Sequence, residues 1–199
     1  MKQTFTFFLF LLFLPVCLLA QENYKPGTVV TTAGDTLHGY INYQEWLKNP
    51  KAVSFKASPQ ATGSLFTPSN SLYVDIAGFE RYSRYAGPIT MNYVELSRLS
   101  NSPEFITATD TVFLKVLEEG KYLSLLAFTD AVKTRYFIVD KANNTVQELL
   151  YLRYRDGSNN LKQISQFRGQ LWAIASRQEQ QNTSLRNRIE QLGYSGKEL

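Results

Sequence analysis

A lone histidine, one cysteine and a scatter of carboxylates are what this 199-residue chain offers for chemistry. His38 is the only histidine, and a triad, a His-rich metal site or a Cys–His pair would need partners that the chain lacks. Its place on the polar side of an early strand marks it as a surface residue. Cys17 lies inside an N-terminal apolar run, which excludes thiol catalysis and cysteine ligation from the remainder. Asp35, Asp75, Glu80, Asp110, Glu118 and Glu119 could supply a carboxylate pair for hydrolysis, which needs two carboxyls across one cleft. Asp35, Glu118 and Glu119 sit in or beside turns, where acids serve the local backbone. Gly34 and Gly39 are isolated and make no phosphate loop, and Asp75 lacks the alternating carboxylates of a calcium loop. No catalytic residue, metal site or cofactor is expected. A small carboxylate-dependent hydrolase is the alternative.

Aromatic side chains are the stronger signal. Tyr40, Tyr43 and Trp46 lie close together, as do Tyr82, Tyr85 and Tyr93. Rings of this kind stack on sugars or pack on protein partners when exposed, and fill a core when buried. Tyr40, Tyr43, Trp46, Tyr82 and Tyr85 are the expected binding residues.

The elements that must position them are mostly strands. Thr28–Thr32 and Thr36–Tyr43 flank a turn at Ala33-Gly34-Asp35, with Gly34 free to take positive φ. Alternation puts Leu37, Gly39, Ile41 and Tyr43 on one face, and Gly39 inside the strand implies a bulge or a bulky neighbour. Gln44–Asn49 is expected as a short helical turn stopped by Pro50, with Trp46 and Leu47 folded back over the hairpin. Ala52–Lys56 is the next strand, and Ser58–Ser71 reads as a long loop. Short strands follow at Ser71–Ile76, Phe79–Ser83 and Ile89–Leu96, then a polar connection over Arg98–Thr109. From Thr111 to Tyr154, strand-like runs separated by Gly, Asp and Asn breaks read as an antiparallel meander.

After Asp156–Asn160 the period changes. Leu161, Ile164, Phe167, Leu171 and Ile174 recur at three and four, predicting a helix over 160–177 capped by Asn159 or Asn160. Leu185, Ile189 and Leu192 form a narrower second stripe beyond a polar link at Arg177–Asn182. The first helix is expected to dock firmly, and residues after about Gln178 to be weakly held. The fold class is therefore α+β: an antiparallel sheet, as meander, curved sheet or sandwich, with C-terminal amphipathic helices packed on it.

Met1-Lys2, the apolar run Phe5–Leu14, Pro15 and Ala20 form a targeting segment, with cleavage expected after Ala20. Acylation at Cys17 is the alternative, disfavoured because Val16 is not small. The chain divides into residues 1–20 as signal peptide, 21–157 as β domain and 158–199 as helical segment. Formal charge is +4 overall, with 8 basic and 4 acidic side chains in residues 151–199 against 12 and 13 in residues 21–150. That surplus reads as a solvated helix face, and no nucleic-acid partner is expected. A membrane barrel is excluded by strands mostly shorter than the roughly 9–11 residues that spanning requires.

Gly34-Asp35-Thr36-Leu37-His38-Gly39-Tyr40-Ile41-Asn42-Tyr43, with Trp46 and Lys48-Asn49-Pro50, resembles the opening of an uncharacterised family of exported proteins of Gram-negative bacteria. Asp75-Ile76-Ala77-Gly78-Phe79 and Phe113–Leu117 with Glu119-Gly120 are similar to its later blocks. In many relatives such a domain precedes an outer-membrane β-barrel, and no enzymatic activity is attached to it. The functional reading that follows is a non-catalytic envelope module, periplasmic or associated with the outer membrane, that binds a protein or glycan partner.

Overall fold

The computed structural model describes residues 23–177 and 182–199. The targeting segment and Gln178–Gln181 lie outside them. Among the described residues twelve strands and two α-helices follow one another. Ten strands form one antiparallel sheet in the order β10-β9-β8-β7-β6-β5-β1-β2-β3-β4. Their ranges are Tyr24–Thr31 (β1), Thr36–Asn42 (β2), Val53–Lys56 (β3), Ser64–Phe66 (β4), Ser71–Ile76 (β5), Arg81–Thr90 (β6), Thr107–Glu119 (β7), Leu123–Thr129 (β8), Thr134–Asp140 (β9) and Thr145–Glu148 (β10). Leu152–Arg155 (β11) and Leu161–Ile164 (β12) pair as a separate hairpin, followed by α1 (Gln166–Ala175) and α2 (Thr183–Gln191). The architecture is the α+β class expected. Among the described residues no helix is long and apolar enough to cross a membrane.

The first hairpin forms as its residues dictate. Gly34 takes φ +95°, closed to most side chains, and β1 pairs β2 from Tyr24↔Asn42 to Val30↔Thr36. Gly39 faces Gly27 across this ladder, and a Cβ on Gly39 would lie 2.6 Å from the Phe55 ring. The glycine therefore marks the close approach of a bulky neighbour. Val29, Ile41, Phe55, Val74, Ile76 and Phe113 gather in one apolar cluster on this side of the sheet. Val112 and Leu114, which flank Phe113, point the other way and pack with Ile89, Leu126 and Phe137. Leu125 and Ile138 form a third cluster with Leu149 of the β10–β11 connection and Phe167 and Ile174 of α1.

Several expectations are corrected. Gln44–Asn49 is irregular, not helical: Glu45 has φ +49° and Leu47 is 94% exposed. Trp46 does fold back, with its ring 5.6 Å from Tyr43 and 5.9 Å from Tyr82. The span read as a loop from Ser58 to Ser71 contains β4, paired with β3. The strand expected at Ile89–Leu96 stops at Thr90, because the Asn92 side chain bonds Glu104 O and Ile106 N and replaces the ladder.

The C-terminal segment differs most. Leu161–Ile164 is a strand rather than a first helical turn, and Leu161 is half exposed. The Asp156 carboxylate accepts from Ser158 N and Asn160 N while Asn159 sits at φ +64°, so this stretch closes a hairpin instead of capping a helix. The helix begins at Gln166, with Ser165 at its N-cap. The tail is not weakly held. Ile189 is buried, and Leu192, Tyr194 and Leu199 pack against the third cluster. Tyr194 donates its hydroxyl to Leu149 O at 2.8 Å and accepts from Tyr136 N at 3.2 Å. Aromatic rings recruit this segment: Tyr194 lies 4.8 Å from Tyr151 and 5.3 Å from Phe167.

Candidate functional site

The five aromatic residues do not share one exposed surface. Tyr82 is 1% exposed and Tyr43 8% exposed, so neither presents a ring face to a ligand. Tyr43, the partly buried Trp46 and Tyr82 form an edge-to-face relay that continues to Phe113 at 6.4 Å. The Tyr82 hydroxyl donates to Glu80 at 2.5 Å, and burial drives its pKa well above that of free tyrosine. Tyr85 belongs to the other cluster, 4.9 Å from Phe137, with its hydroxyl on Pro88 O. Tyr40 is half-buried on β2. These side chains pack the sheet rather than assemble one site.

The structure instead opens a cleft of about 690 Å³ between β7 and β8, walled by Lys48–Lys51, Thr67–Ser69, Asp110–Val112 and Phe128–Ala131. It exists because two strands separate. β7 and β8 pair from Glu119↔Ser124 to Lys115↔Ala127, and there the ladder ends, although β7 continues along β6 to Thr90↔Thr107. Asn49 occupies the point of divergence. Its Nδ2 donates to Phe113 O at 2.8 Å and Ala127 O at 2.9 Å, while its Oδ1 accepts from Thr129 N at 2.9 Å. Its backbone N donates to Thr129 O at 2.9 Å. One residue thus satisfies Phe113 O, Thr129 N and Thr129 O, three backbone groups beyond the end of the ladder, and adds a bond to Ala127 O.

Below the cleft runs a buried network of charges. Arg135 has no exposed surface; its Nε donates to Thr90 O at 2.5 Å and its Nη1 lies 3.0 Å from Asp130 Oδ1. The Glu148 carboxylate accepts from Thr90 N at 2.9 Å and from the Thr90 hydroxyl. These contacts fasten the tip of the β6–β7 hairpin over β9 and β10. Lys133 is 7% exposed, and burial lowers its pKa from 10.5 to about 8. The nearby Glu148 charge opposes that shift, while Arg135 adds to it. Burial works to raise the Asp130 pKa, but the Arg135 hydrogen bond and the Lys133 and Val132 N–H groups hold it below the ordinary value. Asp130 is therefore an ionised, fully engaged acceptor.

Two carboxylates, Asp110 and Asp130, line the cleft together. Asp110 Oδ1 accepts from Thr111 N at 2.7 Å. His38 is exposed, bonded to Thr28 Oγ1 at 3.1 Å. Among the described residues no group of three or more His, Cys, Asp or Glu side chains is placed to hold a metal.

Sequence reasoning missed Asn49 as a site residue, along with Phe128, Asp130 and Arg135. The only local signal was the Lys48-Asn49-Pro50 step, which reads as a turn. No protein-family model, curated protein or solved structure matches this chain.

Proposed function

We propose that this chain is a non-catalytic module of the bacterial cell envelope that binds a protein or glycan partner in the cleft between β7 and β8. The observation that carries the reading is the cleft itself. It is held open by a dedicated side chain, Asn49, and lined by hydroxyls, the Phe128 ring and two prolines. Apolar surface beside placed polar groups is what ligand sites share. Export, with cleavage after Ala20, and association with the outer membrane belong to the same proposal. They rest on the targeting segment and on the resemblance of the Gly34–Pro50 block. N-terminal sequencing of the protein from an envelope fraction should begin at Gln21. To test the site, Ser69→Trp would fill the cleft from an exposed position. Binding to an array of envelope oligosaccharides, or cross-linking to an envelope protein, should disappear in that variant. Binding that survives would move the site elsewhere.

One observation favours a second reading, a small carboxylate-dependent hydrolase: Asp110 and Asp130 line the same cleft. The engaged, low-pKa state of Asp130 suits a base or nucleophile and not a general acid. Turnover of chromogenic glycosides or esters that Asp110→Asn abolishes would establish this reading and overturn the non-catalytic one.

A further inference from the structure

We propose that the cleft is a strand-addition site, in which an extended acidic segment of a partner protein pairs with the backbone edge of β7 at Thr107–Thr111. The inference rests on the binding role proposed above and specifies the partner. Thr107–Thr111 pairs with Ala86–Thr90 of β6 on one side. On the other, pairing with β8 begins only at Lys115, so among the described residues this edge has no strand beside it. The edge lies inside a ten-stranded sheet, not at its margin, and its Asp110–Thr111 end lines the cleft. Antiparallel ladders alternate the direction of their peptide groups. Phe113 O points at Asn49, so the N–H and C=O groups of Thr109 and Thr111 point the same way, to the unpaired side of β7, where Thr111 lines the cleft.

Asn49 shows that the split accommodates a chain. The backbone at Lys48–Lys51 already occupies its inner end, bonded to β8 through Asn49 N and to β7 through Asn49 Nδ2. Asp110 holds the next position: its carboxylate caps the Thr111 N–H that an incoming carbonyl would otherwise accept from. Main-chain pairing of this kind supplies affinity, and flanking side chains supply selectivity. The flanking charge is basic on balance: two lysines stand against Asp110, which has no ion pair among the described residues. Lys48 and Lys51 are exposed at the rim with no ion-pair partner among the described residues, while Asp130 is neutralised by Arg135. Acidic side chains on the added strand meet those two lysines.

The test is selection of phage-displayed random dodecapeptides on the purified protein, followed by anisotropy titration of the selected peptides. Acid-rich, proline-poor sequences should emerge, and saturating peptide should slow amide exchange at Thr109. Thr109→Pro removes an N–H on the unpaired side of β7 and leaves the β6 ladder intact, so it should weaken binding by more than about tenfold without loss of fold. Lys48→Glu with Lys51→Glu, both at exposed positions, should weaken it similarly and make it less salt-dependent. Peptide binding unaffected by either variant overturns the proposal, as does a concentration-dependent dimer that Thr109→Pro abolishes, which would make a second copy the occupant. Binding of an envelope oligosaccharide that survives Thr109→Pro overturns strand addition while the envelope-binding role stands. Failure to bind any peptide or oligosaccharide overturns both.

Discussion

β8 meets two different neighbours. Against β9 it pairs without interruption from Leu123↔Asp140 to Thr129↔Thr134, and its Leu125 lies with Ile138 beneath Phe167 and Ile174. Against β7 it pairs only as far as Lys115↔Ala127 and then departs, leaving a seam filled by Asn49. The closed side is held by many apolar contacts, each small and mutually redundant. The open side is held by one amide and a buried set of charges. An apolar interface tolerates the loss of a contact better than a polar seam tolerates the loss of its only hydrogen-bonding side chain. The seam is accordingly the part of the sheet where the proposed partner would enter.

This contrast can be broken from the closed side first. Phe167→Asp places a charge among Leu125, Ile138 and Leu149, and should abolish folding as read by circular dichroism. Removing residues 193–199 deletes Tyr194 and Leu199 from the same cluster and should cost about 3–5 kcal/mol in urea denaturation, as for loss of a large buried aromatic. A loss below about 1 kcal/mol would mean that the tail only covers the core.

At the seam, Asn49→Ala orphans Phe113 O and Thr129 N, at a cost on the order of 2–3 kcal/mol, and should speed amide exchange at Thr129 ahead of the β8–β9 ladder. Uniform exchange along β8 would show that seam and closed side open as one unit.

Lys133 sharpens the comparison through pH. Its folded pKa, about 8, lies below its ordinary 10.5. Below pH 8 both folded and unfolded chains carry the proton, and the folded state bears the full burial penalty. Between about pH 8 and 10.5 the unfolded chain binds more protons, so this group makes stability rise with pH across that window. Lys133→Met should remove that rise and stabilise the protein at neutral pH by roughly 2 kcal/mol. The smallest effect expected is that of Tyr194→Phe, which removes the hydroxyl bridging Leu149 O and Tyr136 N and should cost about 1 kcal/mol.

Much of the fold was legible because it is local. The Gly34 turn, the alternation of Leu37, Gly39 and Ile41, and the breaks between the later strands act over a few residues. The hairpins follow in sequence order. The errors have physical causes as well. Leu161 and Ile164 fit a helical period by spacing alone, but the Asp156 and Asn159 turn commits them to a hairpin. Tyr194 looked like part of a loose end because its partners, Tyr136, Leu149 and Phe167, are distant in the chain.

The sequence by itself determined the class: alternating residues and short turn breaks admit little besides an antiparallel sheet, and a single histidine and a single cysteine rule out most catalytic constellations. Tertiary structure alone decided which aromatic rings are buried and where a ligand could enter. Whether Tyr82 fills a core or faces solvent depends on Trp46, Glu80 and Phe113, which the fold brings to it. The cleft depends on two adjacent strands parting where Asn49 enters from a third region, 64 residues from Phe113 and 80 from Thr129. No periodicity encodes such a meeting, because it forms only when the long-range ladders on both sides are already in register.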